Sequence, residues 1–264
     1  GVRILDDFDD PSTWTVVTSN QVTGTLRQVD VDGGKALCLD YDYNGVSGHV
    51  GIQRDLKMTY PENYRFAFRM RGESPANDLQ FKVIDASGDN VWWVNRPKYD
   101  FPTEWTDIRY RKRHIDKAWG PEQDKTLRAT EKLEFTIYNN AGGKGTVCFD
   151  QLTFETLPPD DTSPLTASAA STTTPDGVGN LVDGNAESAW TTAAAPQNVV
   201  LDLGKVREFG GLRLQWQPGR HASSYAVSLS ADGEEWTPVR EVTEGNGDVD
   251  WLALPEAEAR YIGL

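Results

Sequence analysis

Cysteine and histidine are scarce in this sequence of 264 residues, and their scarcity excludes several kinds of chemistry. Cys38 and Cys148 are the only two cysteines, too few for a disulfide scaffold and at no metal-ligand spacing. Each lies in a strand-like run (KALCLDY and GTVCFDQ), so the pair could be neighbours across a sheet or two separate small buried residues. His49, His114 and His221 are scattered, with no partner spacing for a zinc site or a nucleophilic triad. No GxSxG, HExxH or phosphate-cradling glycine loop occurs. No run approaches the roughly 18 apolar residues that a membrane helix needs, and the opening GVRILDDFDD is not a signal peptide. Positive charge is also short: 26 Lys and Arg face 40 Asp and Glu, a net charge of −14. Residues 1–157 carry 20 basic and 24 acidic side chains, and residues 158–264 carry 6 and 16. Such a balance argues against nucleic acid and anionic bilayers as partners, because both reward positive surface.

Aromatic residues are abundant at 10%, and 24 Gly and 14 Pro point to short strands joined by tight turns. Strand-like runs dominate the first half: ALCLDYDY, YRFAFRMR, LQFKVID, NVWWVNR, TDIRYRKRHI, KLEFTIY and TVCFDQLTF. Turn signals such as DGG, SGD and AGGKG separate them. Only EQDKTLRATEKL reads as helix-like, a short turn packed on one edge. PPDDTSP, residues 158–164, is acidic, proline-rich and free of apolar side chains, as a linker would be. After it come NVVLDLG, GGLRLQW, SYAVSLS, TPVREV, DVDWLAL and ARYIGL. The expected fold is therefore all-β: two different antiparallel β-sandwiches in tandem, residues 1–157 and 165–264.

Alternation sorts the first half into two faces. One is apolar (Tyr64, Phe66, Phe68, Met70, Leu79, Phe81, Val83, Leu133, Phe135 and Ile137), and the other is rich in Arg, Lys, Gln, Glu and Tyr. The stretch SGDNVWWVNRP sets two tryptophans side by side, and in a strand they must point to opposite faces. If Trp93 joins the apolar set, Trp92 and Arg96 fall on the polar one; the opposite register exposes Trp93 and Asn95. An indole among guanidinium and amide donors suits a sugar, whose C–H face stacks on aromatic rings and whose hydroxyl rim accepts planar hydrogen bonds. The candidate sugar-binding residues here are Trp92, Trp93, Asn95, Arg96, Lys82, Arg111, Arg113 and Tyr138. The arginines could also favour uronic acids or sulfated glycans, or they could form solvated cross-strand salt bridges. TDIRYRKRHI groups Arg109, Tyr110, Arg111 and His114 as a polysaccharide lyase would, but alternation sends Tyr110 and His114 to the face away from the arginines.

The opening LDDFDD, the early GGKALCLDY and the closing GTVCFDQLTFETL follow an order that resembles the jelly-roll carbohydrate-binding modules of bacterial glycan-degrading enzymes. The likeness is one of pattern over residues 3–157. It implies a structural Ca²⁺ held by Asp9, the Lys35 carbonyl and Asp150, hard oxygen donors brought from distant strands.

NLVDGNAESAW, residues 180–190, is more specific. With VVLDLGKVREFGGLRLQW, SYAVSLSADGEEWTPV and ARYIGL downstream, it resembles the discoidin domains, also called coagulation factor 5/8 type C modules. The resemblance implies calcium ligands at the Asn180 and Asn185 carbonyls, the Asp183 carboxylate and Ser188, with serine where threonine is commoner. It makes Trp190, Trp216 and Trp236 core positions and puts ligand contacts on variable end loops, here PGRHASS with Arg220 and His221. The family normally continues past RYIGL into a final strand that closes the sandwich, so the resemblance leads us to expect a longer polypeptide here. Together the two resemblances imply non-catalytic, calcium-stiffened modules of a secreted, periplasmic or cell-surface glycoside hydrolase. Such modules would bind a polysaccharide or oligosaccharide beside a catalytic domain lying beyond Leu264. Structural spacers that pack on that domain, or a lectin-like adhesin, are the alternative readings.

Overall fold

The computed structural model describes residues 1–160, 163–169, 175–192 and 197–264. It divides into two compact units, Gly1–Asp160 and Asp161–Leu264. Among the described residues the regular elements are antiparallel strands and short 3-10 turns, and no helix is long and apolar enough to cross a membrane.

The first unit holds twelve strands: β1 (Val2–Asp6), β2 (Thr15–Thr18), β3 (Thr23–Val31), β4 (Gly34–Asp42), β5 (His49–Thr59), β6 (Tyr64–Glu73), β7 (Asp78–Ile84), β8 (Val91–Arg96), β9 (Thr106–Arg111), β10 (Asp116–Trp119), β11 (Ala129–Tyr138) and β12 (Lys144–Thr156). They form two six-stranded sheets. One runs β3-β4-β12-β6-β9, with β1 also paired to β12; the other runs β10-β8-β7-β11-β5-β2. Period-two patterning explains the packing. In β6, Tyr64, Phe66, Phe68 and Met70 turn inward to meet Leu79, Phe81 and Val83 of β7 and Leu133, Phe135 and Ile137 of β11. The Tyr43 hydroxyl, fully buried, donates to the Ile137 carbonyl at 2.7 Å.

Strand β12 is bent at one point. It pairs with β4 over Lys144–Phe149 and with β1 over Leu152–Glu155, and its pairing with β6 slips between Asp150 and Thr153. Gln151 has φ +49° there, a bulge that lets one long strand serve two partners on the same edge. Cys38 and Cys148 face each other across β4 and β12 and form a disulfide, which resolves the alternatives left open by the sequence. The helix-like stretch EQDKTLRATEKL contains no helix: residues 121–128 are irregular and Ala129 begins β11. Local hydrogen bonds compete with a helix there, with Thr126 N–H donating to the Asp124 carboxylate at 2.9 Å.

The second unit contains β13 (Thr166–Ala169), β14 (Val199–Gln215), β15 (Tyr225–Ser230), β16 (Thr237–Val242) and β17 (Val249–Gly263) in one sheet ordered β13-β14-β17-β15-β16. Its long β14–β17 pair is broken by register shifts between Asp202 and Arg207 and between Phe209 and Gly211. The inward set changes from Val199, Leu201 and Leu203 to Leu212 and Leu214 across these bulges. The bent pair thereby wraps a single core that also takes in Leu252, Leu254 and Ile262.

Candidate functional site

The two tryptophans of β8 do point to opposite faces. Trp92 is the inward one: it is 5% exposed, sits in the core, and its indole N–H donates to the Lys125 carbonyl at 2.8 Å. This is the register that exposes Trp93 and Asn95. The reason lies in the pairing of β7 with β8, which sets Trp92 opposite Val83 and Val94 opposite Phe81, both core residues.

Trp93 therefore lies on the outer face of the β10-β8-β7-β11-β5-β2 sheet, where register builds rows across the strands. One row reads Asp116, Trp93, Lys82, Glu134, Gln53 and Thr15. The next reads Asn95, Gln80, Thr136, Gly51 and Val17. A third joins Asp78, Tyr138 and His49, with Tyr138 47% exposed at the far end. The polar side chains are bonded to one another. Gln53 Nε2 donates to Glu134 Oε1 at 2.9 Å, Lys82 Nζ stands 3.4 Å from Glu134 Oε2, and Thr136 Oγ1 donates to the same oxygen. Gln80 Nε2 donates to Asn95 Oδ1 at 3.4 Å.

Above this floor stands Trp119, 48% exposed, its ring edge-on to Trp93 with centroids 5.5 Å apart. Lys82 Nζ lies 5.5 Å from the Trp119 ring. The sequence patterning missed Trp119 because β10 slips register between Lys117 and Trp119, bringing Trp119 opposite Val91 and onto the Trp93 face. It also passed over Gln53 and Gly51, which only strand order could place beside Glu134 and Thr136.

Of the residues expected at a sugar site in this half, Trp93, Asn95, Lys82 and Tyr138 share this face. The others do not join them. Trp92 is in the core, and Arg96, on the inner side of β8, lies over the Tyr110 ring at 5.7 Å. Arg111 is on β9 of the opposite sheet, paired with Arg65, and Arg113 lies in the turn that follows it. Arg111 and Arg113 thus lie away from the sheet that carries the indole, and Arg96 on its other face, since alternation reports a face but not which sheet carries it. Tyr110 is buried in the core, away from the exposed Arg109.

Of the residues expected to hold calcium in this unit, Asp150 sits at the bulge of β12, and Asp9 bonds the backbone of Lys35. Asp9 Oδ1 accepts the Lys35 backbone N–H at 2.7 Å, and Asp150 is 3% exposed. Burial raises the Asp150 pKa, and the negative charges of Asp9 and Asp7 raise it further, opposed by Arg69 and the Gln151 N–H. A buried carboxyl that also feels the negative charges of two further carboxylates is short of positive charge, which a hard cation would supply.

In the second unit the expected ligands crowd around one hydroxyl. Ser188 Oγ lies 2.6 Å from Asp183 Oδ2, 3.0 Å from the Asn185 carbonyl and 3.5 Å from the Asn180 carbonyl. One hydroxyl proton cannot satisfy three acceptors, so the donor set fits a cation. Hydrogen bonds from Ser188 and the Asn185 N–H hold the Asp183 pKa down. Gly184, at φ +72°, makes the tight turn possible.

Arg220 and His221 lie exposed in a loop pinned at several points. Gly245 N–H donates to the Ser223 carbonyl at 2.9 Å, and Trp216 N–H to the Asp248 carbonyl at 2.7 Å. Trp216 Nε1 and the Tyr225 hydroxyl both donate to Asp250 Oδ2, at 2.8 and 2.7 Å, lowering the Asp250 pKa. Trp190 packs partly buried against the core, and Trp236 donates to the Gly233 carbonyl at 3.2 Å.

Residues 164–264 match the F5/8 type C domain family. Among solved structures, the chain is similar to a family 11 carbohydrate-binding module from Clostridium thermocellum in complex with a β-1,3-1,4-mixed-linked tetrasaccharide. The identity is 18%, over 61% of this chain and 98% of that one, with a TM-score of 0.49. It is also similar to chitosan-binding module 2, in complex with chitotriose, of a chitosanase/glucanase from Paenibacillus sp. IK-5. There the identity is 27%, over 37% of this chain and 79% of that one, with a TM-score of 0.35. No curated protein matches the chain.

Proposed function

We propose that this chain is a pair of carbohydrate-binding modules that work without catalysis, as accessory parts of a secreted glycan-degrading enzyme. The observation that carries this reading is the outer face of the β10-β8-β7-β11-β5-β2 sheet. There the Trp93–Trp119 pair borders a floor of amide, carboxylate and ammonium groups already fixed by mutual hydrogen bonds. The buried, hydrogen-bonded floor of Gln80, Glu134 and Thr136 holds the more accessible Trp93, Asn95, Trp119 and Tyr138 in place, so a hydroxyl-rich chain meets them at low entropic cost. The cross-strand rows suit an extended ligand. The match of residues 164–264 to the F5/8 type C family supports a binding role for the second unit, with Arg220 and His221 at its loop end.

Calcium is part of the proposal. Asn180, Asp183, Asn185 and Ser188 would hold one ion, and Asp9, the Lys35 carbonyl and Asp150 another. Bound there, the ion would supply positive charge that fixes loop geometry. The disulfide favours an oxidising compartment, in keeping with a secreted, periplasmic or cell-surface location.

Affinity electrophoresis of the chain through gels containing soluble polysaccharides tests the reading. Trp93→Ala and Trp119→Ala should each reduce retardation by between about twofold and tenfold, the range of an aromatic stacking contact. Retardation on no polysaccharide would instead favour the structural spacer.

A further inference from the structure

Trp251 on β17 is the most exposed large apolar side chain among the described residues, at 74%, and it belongs to neither surface considered above. Its register partner on β14 is Arg213, whose guanidinium carbon stands 5.3 Å from the indole centroid. Arg213 Nη2 in turn donates to Gln215 Oε1 at 3.1 Å. Three planar groups are thus linked in order, so the indole and its hydrogen-bonding neighbours are held ready rather than left to search.

Alternation fixes the face they occupy. Leu212, Leu214, Leu252 and Leu254 turn into the core, so Arg213, Gln215 and Trp251 stand on the outer side of the bent pair. The next pair along that side is Gly211 with Ala253. Neither raises a side chain large enough to obstruct a flat ligand lying beside the indole.

Charge narrows the class of ligand. Residues 158–264 carry 16 acidic and 6 basic side chains, a field that repels polyuronates, sulfated glycans, nucleic acid and anionic bilayers. Arg213 beside the ring repels an ammonium, which disfavours amino sugars. A neutral pyranose avoids both penalties. Its C–H face can lie on the indole while its hydroxyls accept from the guanidinium and bond the amide.

We propose that the outer face of the β14–β17 pair is a second carbohydrate contact, with Trp251 stacking on a neutral pyranose and Arg213 and Gln215 bonding its rim. It rests on the reading that the chain binds glycans, but on a different unit from the Trp93 face and on a sheet surface rather than the Arg220 loop. Two such contacts on one chain raise avidity wherever a single polymer reaches both.

The experiment runs the full chain and its Trp251→Ala, Trp251→Phe, Trp93→Ala and double-alanine variants through gels containing a neutral β-glucan, a xylan, a mannan, a polyuronate or chitosan. Sedimentation of each variant is measured in parallel. Trp251→Ala should weaken retardation on a neutral polysaccharide by between about twofold and tenfold, Trp251→Phe should keep most of it, and the double variant should lose it. Retardation that falls with Trp93→Ala but not with Trp251→Ala overturns this site and leaves the Trp93 face standing. The converse pattern supports this site and removes the other. No retardation of the parent chain on any polymer overturns both. An effect confined to polyuronate or chitosan, or a change from dimer to monomer in Trp251→Ala, assigns the indole to a charged ligand or to a second copy and overturns the proposal.

Discussion

Replacing Trp92 by alanine empties a core position and orphans the Lys125 carbonyl, which now accepts the indole N–H. The expected cost is about 3–5 kcal/mol, read as a lower denaturation midpoint. Trp93→Ala should change the unfolding free energy by no more than about 0.5–1 kcal/mol, because a half-buried outer side chain leaves no sealed cavity. Together the two variants separate folding from binding at neighbouring positions. The alternation rule read from the sequence required the two rings to part, yet it left open which one faced out. That choice depends on the pairing with Val83 and Phe81, a long-range fact that no local pattern carries. For the same reason the sequence sets Arg96 with Trp92, and Arg111 and Arg113 beside whichever indole faces out, although the fold disperses them. The Asn180–Trp190 stretch depends on no such long-range pairing, because Asn180, Asp183, Asn185 and Ser188 are neighbours within one short loop that turns at Gly184.

At the scale of elements, the bulges of β10 and β12 do what regular strands cannot. The slip in β10 turns Trp119 onto the Trp93 face, and the bulge in β12 leaves Asp150 close enough to Asp7 and Asp9 for their charges to raise its pKa. Neither slip has a marker in the sequence, whereas the strands themselves did, as in the strict alternation of β6. The charge imbalance at the β12 bulge yields an expectation for metal removal. Calcium at about 100 times its dissociation constant should stabilise the first unit by about 2.7 kcal/mol, a gain that chelation reverses and that scanning calorimetry reads. Asp150→Asn should abolish the calcium response while making the metal-free unit more stable at neutral pH. The sign follows from the raised pKa: a carboxyl that resists ionisation in the fold costs stability once pH exceeds its unfolded value, and the amide carries no such charge. A calcium response unchanged in Asp150→Asn would remove this bulge from the list of metal sites.

Across the whole chain, the all-β character and the change of composition at residues 158–164 were readable, because turn residues and period-two patterning are local. The disulfide was not, since its two cysteines are separated by 110 residues and meet only through the pairing of β4 with β12. A loop of that size is worth about 4–5 kcal/mol in the chain-entropy account. Reduction should therefore lower the unfolding transition of the first unit by about 8–20 °C and leave that of the second unchanged, which calorimetry with and without reductant can check. The pairing of Val2 with Glu155 has a mechanical corollary. Because β1 and the tail of β12 run antiparallel side by side, the chain enters and leaves the first unit at neighbouring points. Tension applied through both ends would peel that strand pair open one hydrogen bond at a time rather than load the bonds together, so this unit should yield at low force when a tethered polymer is pulled.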